Sequence, residues 1–124
     1  FYTKAIEYDA NYEIAYNNRG AIYFESKKYD KALKDFKKAI EINSDYVMAI
    51  SNRAAIYHLL ENYAAALVDL EKAVKLQPNN PTALLNRGIT REMLRDINGA
   101  CEDWQKAYQL GIEIANKYYI NNCE

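Results

Sequence analysis

Two residue types able to make specific contacts recur in this chain at one fixed spacing. Asn18, Asn52 and Asn86 stand 34 residues apart (18, 52, 86), and an arginine follows each: Arg19, Arg53 and Arg87. A side-chain amide carries a donor and an acceptor together, which suits the alternating groups of an extended peptide backbone. The arginines have a partner series at the same period, Asp35, Asp69 and Asp103, so an ion pair is available in every copy. Catalytic chemistry fits less well. His58 is the single histidine, and no carboxylate or nucleophile is spaced to work with it. No Cys–His arrangement, glycine-rich phosphate loop or metal-ligand spacing occurs. Glu102 and Asp103 are adjacent and so diverge on a helix. The sequence therefore predicts no catalytic, metal-binding or cofactor-binding residue and a protein that is not an enzyme.

The spacing also defines the elements that must hold these residues. Asn18-Arg19-Gly20-Ala21-Ile22-Tyr23 returns as Asn52-Arg53-Ala54-Ala55-Ile56-Tyr57 and, less completely, as Asn86-Arg87-Gly88-Ile89-Thr90-Arg91. A second motif keeps the same step. Tyr29, Ala32, Leu33, Phe36 and Ala39 map onto Tyr63, Ala66, Leu67, Leu70 and Ala73, then onto Ile97, Ala100, Cys101, Trp104 and Ala107. In each copy the apolar residues fall three or four apart, on one stripe of a helix. Each repeat is thus two short helices, and a period of this length means a stack in which every unit buries its apolar face on its neighbours.

Half of the residues are apolar and 27% are charged. No apolar run reaches the roughly 20 residues that a membrane-spanning helix needs, so no membrane insertion is expected. A net charge of -1 lacks the basic stripe that binding to nucleic acid would require. Lys27, Lys28, Lys31, Lys34, Lys37 and Lys38 form the one cationic cluster; interspersed with Asp30 and Asp35, it reads as a solvated helix face.

On these motifs the chain resembles the tetratricopeptide repeat (TPR) family. The matches are the small residue at repeat position 8 (Gly20, Ala54, Gly88), the tyrosine at position 11 (Tyr23, Tyr57), the alanines at positions 20 and 27, and the turn at Pro78-Asn79-Asn80. The departures are Arg91 where tyrosine is usual, Ser44 where proline is usual, and Gly111 in place of the last turn. The resemblance implies an all-α fold, an α-α superhelix of stacked antiparallel helix pairs with a C-terminal capping helix. Residues 13–46, 47–80 and 81–111 are the expected repeats. Residues 1–12, where Ala5, Ile6 and Tyr8 stand in the places of Ala39, Ile40 and Ile42, read as the second helix of a preceding repeat, so that the chain reads as a module of a longer protein. Residues 112–124 are the expected cap, with Gly111 as the left-handed residue that ends the helix before it.

In a hairpin that turns near position 15, positions 7 and 23 lie opposite each other. Three ion pairs within the repeats are therefore expected, Arg19 with Asp35, Arg53 with Asp69 and Arg87 with Asp103, each contributing about 0–1 kcal/mol as a partly exposed pair. First helices line the concave groove in this family. Asn18, Asn52 and Asn86 would then form a ladder similar to the asparagine ladder with which some TPR proteins hold a peptide backbone; the alternative is that these amides only bond neighbouring helices. The candidate peptide-binding set is Asn17, Asn18, Phe24, Met48, Ser51, Asn52, His58, Leu85, Asn86 and Ile89, of which the apolar members could equally be inter-repeat packing. Some TPR domains hold the terminal carboxylate of a chaperone tail with lysine, arginine and asparagine. The matching places here are Asn17, Ala21, Asn52, Thr82 and Asn86, without a cation, so binding of a chaperone C-terminal tail is not expected.

The function implied is a protein-protein interaction scaffold that binds a peptide or partner-protein segment in its groove. The alternative is a structural or oligomerising element that stacks, or self-associates, through an open N-terminal edge around Phe1, Tyr2 and Ile6. Cys101 and Cys123 are read as two reduced thiols; a bond between them would pin the cap and imply an oxidising compartment. The compartment stays open: a soluble protein, cytoplasmic, or periplasmic or exported if the cysteines are bonded.

Overall fold

A computed structural model describes residues 12–123. The expected remnant at residues 1–12 and the N-terminal edge around Phe1, Tyr2 and Ile6 lie outside the described residues, apart from Tyr12. Within them the chain is all helical: α1 (Tyr12–Glu25), α2 (Tyr29–Ile42), α3 (Val47–Leu59), α4 (Tyr63–Leu76), α5 (Pro81–Met93), α6 (Ile97–Gln109) and α7 (Glu113–Asn122). Consecutive helices pack on one another, and α1 also meets α3. The result is a solenoid of three helix pairs, α1/α2, α3/α4 and α5/α6, closed by α7. None of these helices is long and apolar enough to cross a membrane.

The three turns within the helix pairs have one construction. Lys27, Glu61 and Arg95 each take the left-handed conformation, with φ of 62°, 60° and 72°. The amide after each reaches back to a carbonyl five residues earlier: Lys28 to Tyr23, Asn62 to Tyr57 and Asp96 to Arg91, each at 2.8 Å. This satisfies the last carbonyls of the first helix and reverses the chain. Gly111 does the same between α6 and α7, at φ 110°, as its place in the sequence suggests. Asn62, Asn80 and Asp96 cap the next helices by accepting from the backbone N–H of Ala65, Ala83 and Gly99.

Packing between the helices of a pair depends on a trade of volumes. A Cβ on Gly20 would stand 2.7 Å from the Phe36 ring, and one on Gly88 would stand 2.6 Å from Nε1 of Trp104. Where the second helix offers a large aromatic ring, the first helix must offer glycine. In the middle pair the facing residues are Ala54 and Leu70, both buried. The core lies between helices and continues from pair to pair. Phe36 and Ile56 anchor one end, Ile50, Ala73 and Ala83 the middle, and Leu84 and Trp104 the other end.

All three expected ion pairs are present. In each, the arginine Nε and Nη2 donate to both carboxylate oxygens at 2.7–2.9 Å. Their energetic class differs from the expectation, because the Asp35, Asp69 and Asp103 side chains are only 4%, 6% and 4% exposed. A buried carboxylate left without its arginine costs about 3–5 kcal/mol, well above the value of a surface pair. The guanidinium pKa of Arg19, Arg53 and Arg87 is raised, first by the hydrogen bond to the aspartate and then by its charge, against the opposing effect of burial. Tyr23 and Tyr57 lie under the arginines of their own pairs, at 5.9 and 5.8 Å. Arg91 takes the third such place and donates to Asp103 at 3.1 Å, so this carboxylate serves two arginines.

The expectation of two free thiols is overturned, since Cys101 and Cys123 form a disulfide, their Cα atoms 6.0 Å apart. Helices α6 and α7 run antiparallel around Gly111, which brings a residue of the first turns of α6 level with the residue just past α7. The bond supports a short helix in which Ala115 is the buried residue and Tyr118 stacks on Trp104 at 5.4 Å.

Three substitutions test the packing and the turns. Gly88→Ala should lower stability by about 1–3 kcal/mol in urea unfolding, because the indole must move. Adding Trp104→Leu, which recreates the pairing of α3 with α4, should recover part of that loss, and strictly additive effects would refute the volume trade. Glu61→Gly should raise stability by about 1 kcal/mol by relieving the left-handed backbone.

Candidate functional site

The first helices α1, α3 and α5 border a hollow of about 280 Å³. Its apolar wall comprises Phe24 from α1, Ala54, Ala55 and Leu59 from α3, Leu70 from α4 and Ile89 from α5. Ser51, His58, Asn86 and Thr90 supply the polar atoms. Space exists here because two adjacent alanines occupy the centre of α3 and the residue behind them, Leu70, is not aromatic. The Thr90 hydroxyl donates to the Asn86 carbonyl at 3.0 Å, so it is already engaged. The His58 ring meets Tyr63 edge-on at 5.1 Å, which holds it at the mouth. The Asn86 carboxamide has no hydrogen-bond partner among the described residues.

Five of the candidate residues therefore come together at the hollow: Phe24, Ser51, His58, Asn86 and Ile89. The other five do not line it. Met48 is 60% exposed, and Leu85 packs against the cluster around Leu84 and Trp104. Asn18 is half-buried. Asn17 is 2% exposed, and its Oδ1 accepts from Asn52 Nδ2 at 3.1 Å. Burial raises the pKa of the Tyr46 hydroxyl, and the Asn17 side chain partly offsets that rise. The Asn17–Asn52 pair is thus a clamp between α1 and α3, and at Asn52 the amide bonds a neighbouring helix. Outside the ten candidates, Ala55 and Leu59 also line the hollow, and their register with Ile89 and Met93 on the first helices already marks them as groove-facing. Register does not mark Leu70, because it reaches the hollow from a second helix.

The family model for the tetratricopeptide repeat matches residues 14–46 and 47–80, more than half of the chain. The chain belongs to the tetratricopeptide repeat family. The pair α5/α6, beyond the matched residues, closes on the same arginine-aspartate fork as the two before it. Among solved structures, the first TPR of Spaghetti (RPAP3), bound to the HSP90 peptide SRMEEVD, is 26% identical with a TM-score of 0.85, over 91% of each chain. The second TPR of the same protein, bound to the same peptide, is 26% identical with a TM-score of 0.76, over 79% of this chain and 91% of that one. The first TPR domain of human RPAP3 is 26% identical with a TM-score of 0.80, over 88% and 87%. No curated protein matches the chain.

The clamp and the hollow should separate on mutation. Asn17→Ala breaks the bond to Asn52 and opens a gap at a buried position, and should cost about 1–3 kcal/mol of stability, whereas Asn86→Ala should change it by less than about 0.5 kcal/mol, as measured by urea unfolding. Equal losses at the two sites would contradict this division.

Proposed function

We propose that this TPR module is an interaction scaffold whose hollow between α1, α3 and α5 receives a segment of a partner protein. The observation that supports this most is a hollow with six apolar wall residues and an unengaged carboxamide, Asn86, at its side. An apolar side chain would fill the space while Asn86 and Ser51 bond the backbone beside it, the division of labour by which extended peptides are commonly held. The reading is non-catalytic: His58 is the one titratable side chain among the lining residues, and Cys101 is committed to its disulfide.

The RPAP3 domains with HSP90 peptide bound support a peptide ligand in this scaffold. We propose that recognition here does not run through a chain-terminal carboxylate. Of the places where such a group would be held, Asn17 is buried and joined to Asn52, and Ala21, Thr82 and Asn86 offer no positive charge. A carboxylate brought there would lose its water without gaining a cation.

Calorimetry of the purified chain with SRMEEVD and with its C-terminal amide tests both parts. Amidation should leave any affinity unchanged, and loss of binding on amidation would show a carboxylate site after all. Ala55→Leu should fill the hollow and abolish segment binding with the helical content intact.

A further inference from the structure

A second hollow, of about 370 Å³, lies at the turn between α1 and α2. It is lined by Lys27, Lys28, Tyr29, Asp30 and Lys31 and by Leu60 just past α3, three cationic residues to one acidic. The two hollows share a wall. Leu59 lines the first and Leu60 the second; Phe24 lines the first, and its ring meets that of Tyr29, which lines the second, at 5.7 Å. Leu59 and Leu60 are 52% and 51% exposed, so the ridge between the hollows is itself open and apolar.

The turn itself does not require these cations. At the places of Lys27, Lys28 and Lys31, the second turn has Glu61, Asn62 and Ala65, and the third has Arg95, Asp96 and Gly99. All three turns take the same left-handed conformation and the same return hydrogen bonds. Lysine at all three places is thus particular to the first turn. Lys31 lies over the Tyr23 ring at 5.7 Å, which keeps its charge on this surface. Two exposed acids flank this surface, Glu25 as the last residue of α1 and Glu61 in the turn after Leu60.

We infer that the two hollows form one track and that the partner segment carries an apolar anchor followed by acidic side chains, the anchor seated between α1, α3 and α5 and the acids over Lys27, Lys28 and Lys31. This rests on the groove reading and adds to it the charge of the ligand. The acids recognised are side chains within the segment, and a free chain end is not needed. The lysines act at the rim, where charge sets partner choice and encounter rate more than total affinity.

Fluorescence anisotropy with two labelled synthetic peptides, a leucine followed by two aspartates and a leucine followed by two lysines, tests the inference. The acidic peptide should bind more tightly, and the preference should fade as salt screens the rim. Reversing the exposed cluster with Lys27→Glu, Lys28→Glu and Lys31→Glu should weaken the acidic peptide roughly tenfold and favour the basic one, with the circular dichroism unchanged. Ala55→Leu should abolish binding of both. Equal affinities for the two peptides, or an unchanged affinity of the reversed variant for the acidic one, would overturn the charge assignment and leave the groove in place. Failure of both peptides to bind the unaltered chain, or full binding by the Ala55→Leu variant, would remove the groove reading and this inference with it.

Discussion

Three carboxylates buried between helices constrain everything else in this molecule. Asp35, Asp69 and Asp103 sit in the interior of their pairs, and an ionised group there is tolerated only when its oxygens are fully bonded. Each is met by a planar guanidinium from the facing helix, and that fork accepts one alignment of the two helices and rejects a slip of one residue. The register so defined sets Gly20 on Phe36 and Gly88 on Trp104, close approaches that no other alignment would permit. It also sets which face the first helices leave free. The worn third copy shows how strong this demand is, because the arginine that replaces tyrosine at position 91 turns to the same carboxylate.

The hollow follows from the volume trade within the pairs. The outer pairs fill their interiors with Phe36 and Trp104, and each pairs its ring with a glycine. The middle pair uses Leu70 with Ala54 and keeps a second alanine, Ala55, beside it. Close packing tolerates few voids inside a protein, so the unfilled volume appears at the surface between first helices, where a ligand can complete it. The middle pair is thus the one that leaves room, and the pairs on either side add Phe24 and Ile89 to its walls.

The last described helix and the first pair each depart from the repeating pattern in their own way. At the C-terminal end, a helix too short and too exposed to hold by burial alone is retained by the Tyr118–Trp104 stack and the Cys101–Cys123 bond. In the first pair charge departs from the rest of the stack, since Lys28, Lys31, Lys34 and Lys37 stand where the later pairs carry neutral or acidic residues. The scaffold repeats; the surface chemistry laid on it does not, and the chemistry is what distinguishes one TPR module from another.

Helix pairs, their order, the small residues at the crossings and the three arginine-aspartate forks were legible in the sequence, because each depends on interactions at a constant offset along one chain and so leaves a period of 34 residues. The engagement of Asn17 by Asn52, the contribution of Leu70 to a hollow of first helices, the turn of Arg91 towards Asp103 and the bond between the cysteines were decided by tertiary structure. These depend on the distance and tilt between elements that are not neighbours in sequence, and a single copy of a motif carries no record of them. Five of the ten candidate residues line the hollow because register alone tells which face of a helix they occupy. The other five do not, because whether a residue on that face meets a neighbouring helix or open space is determined only once the helices are stacked.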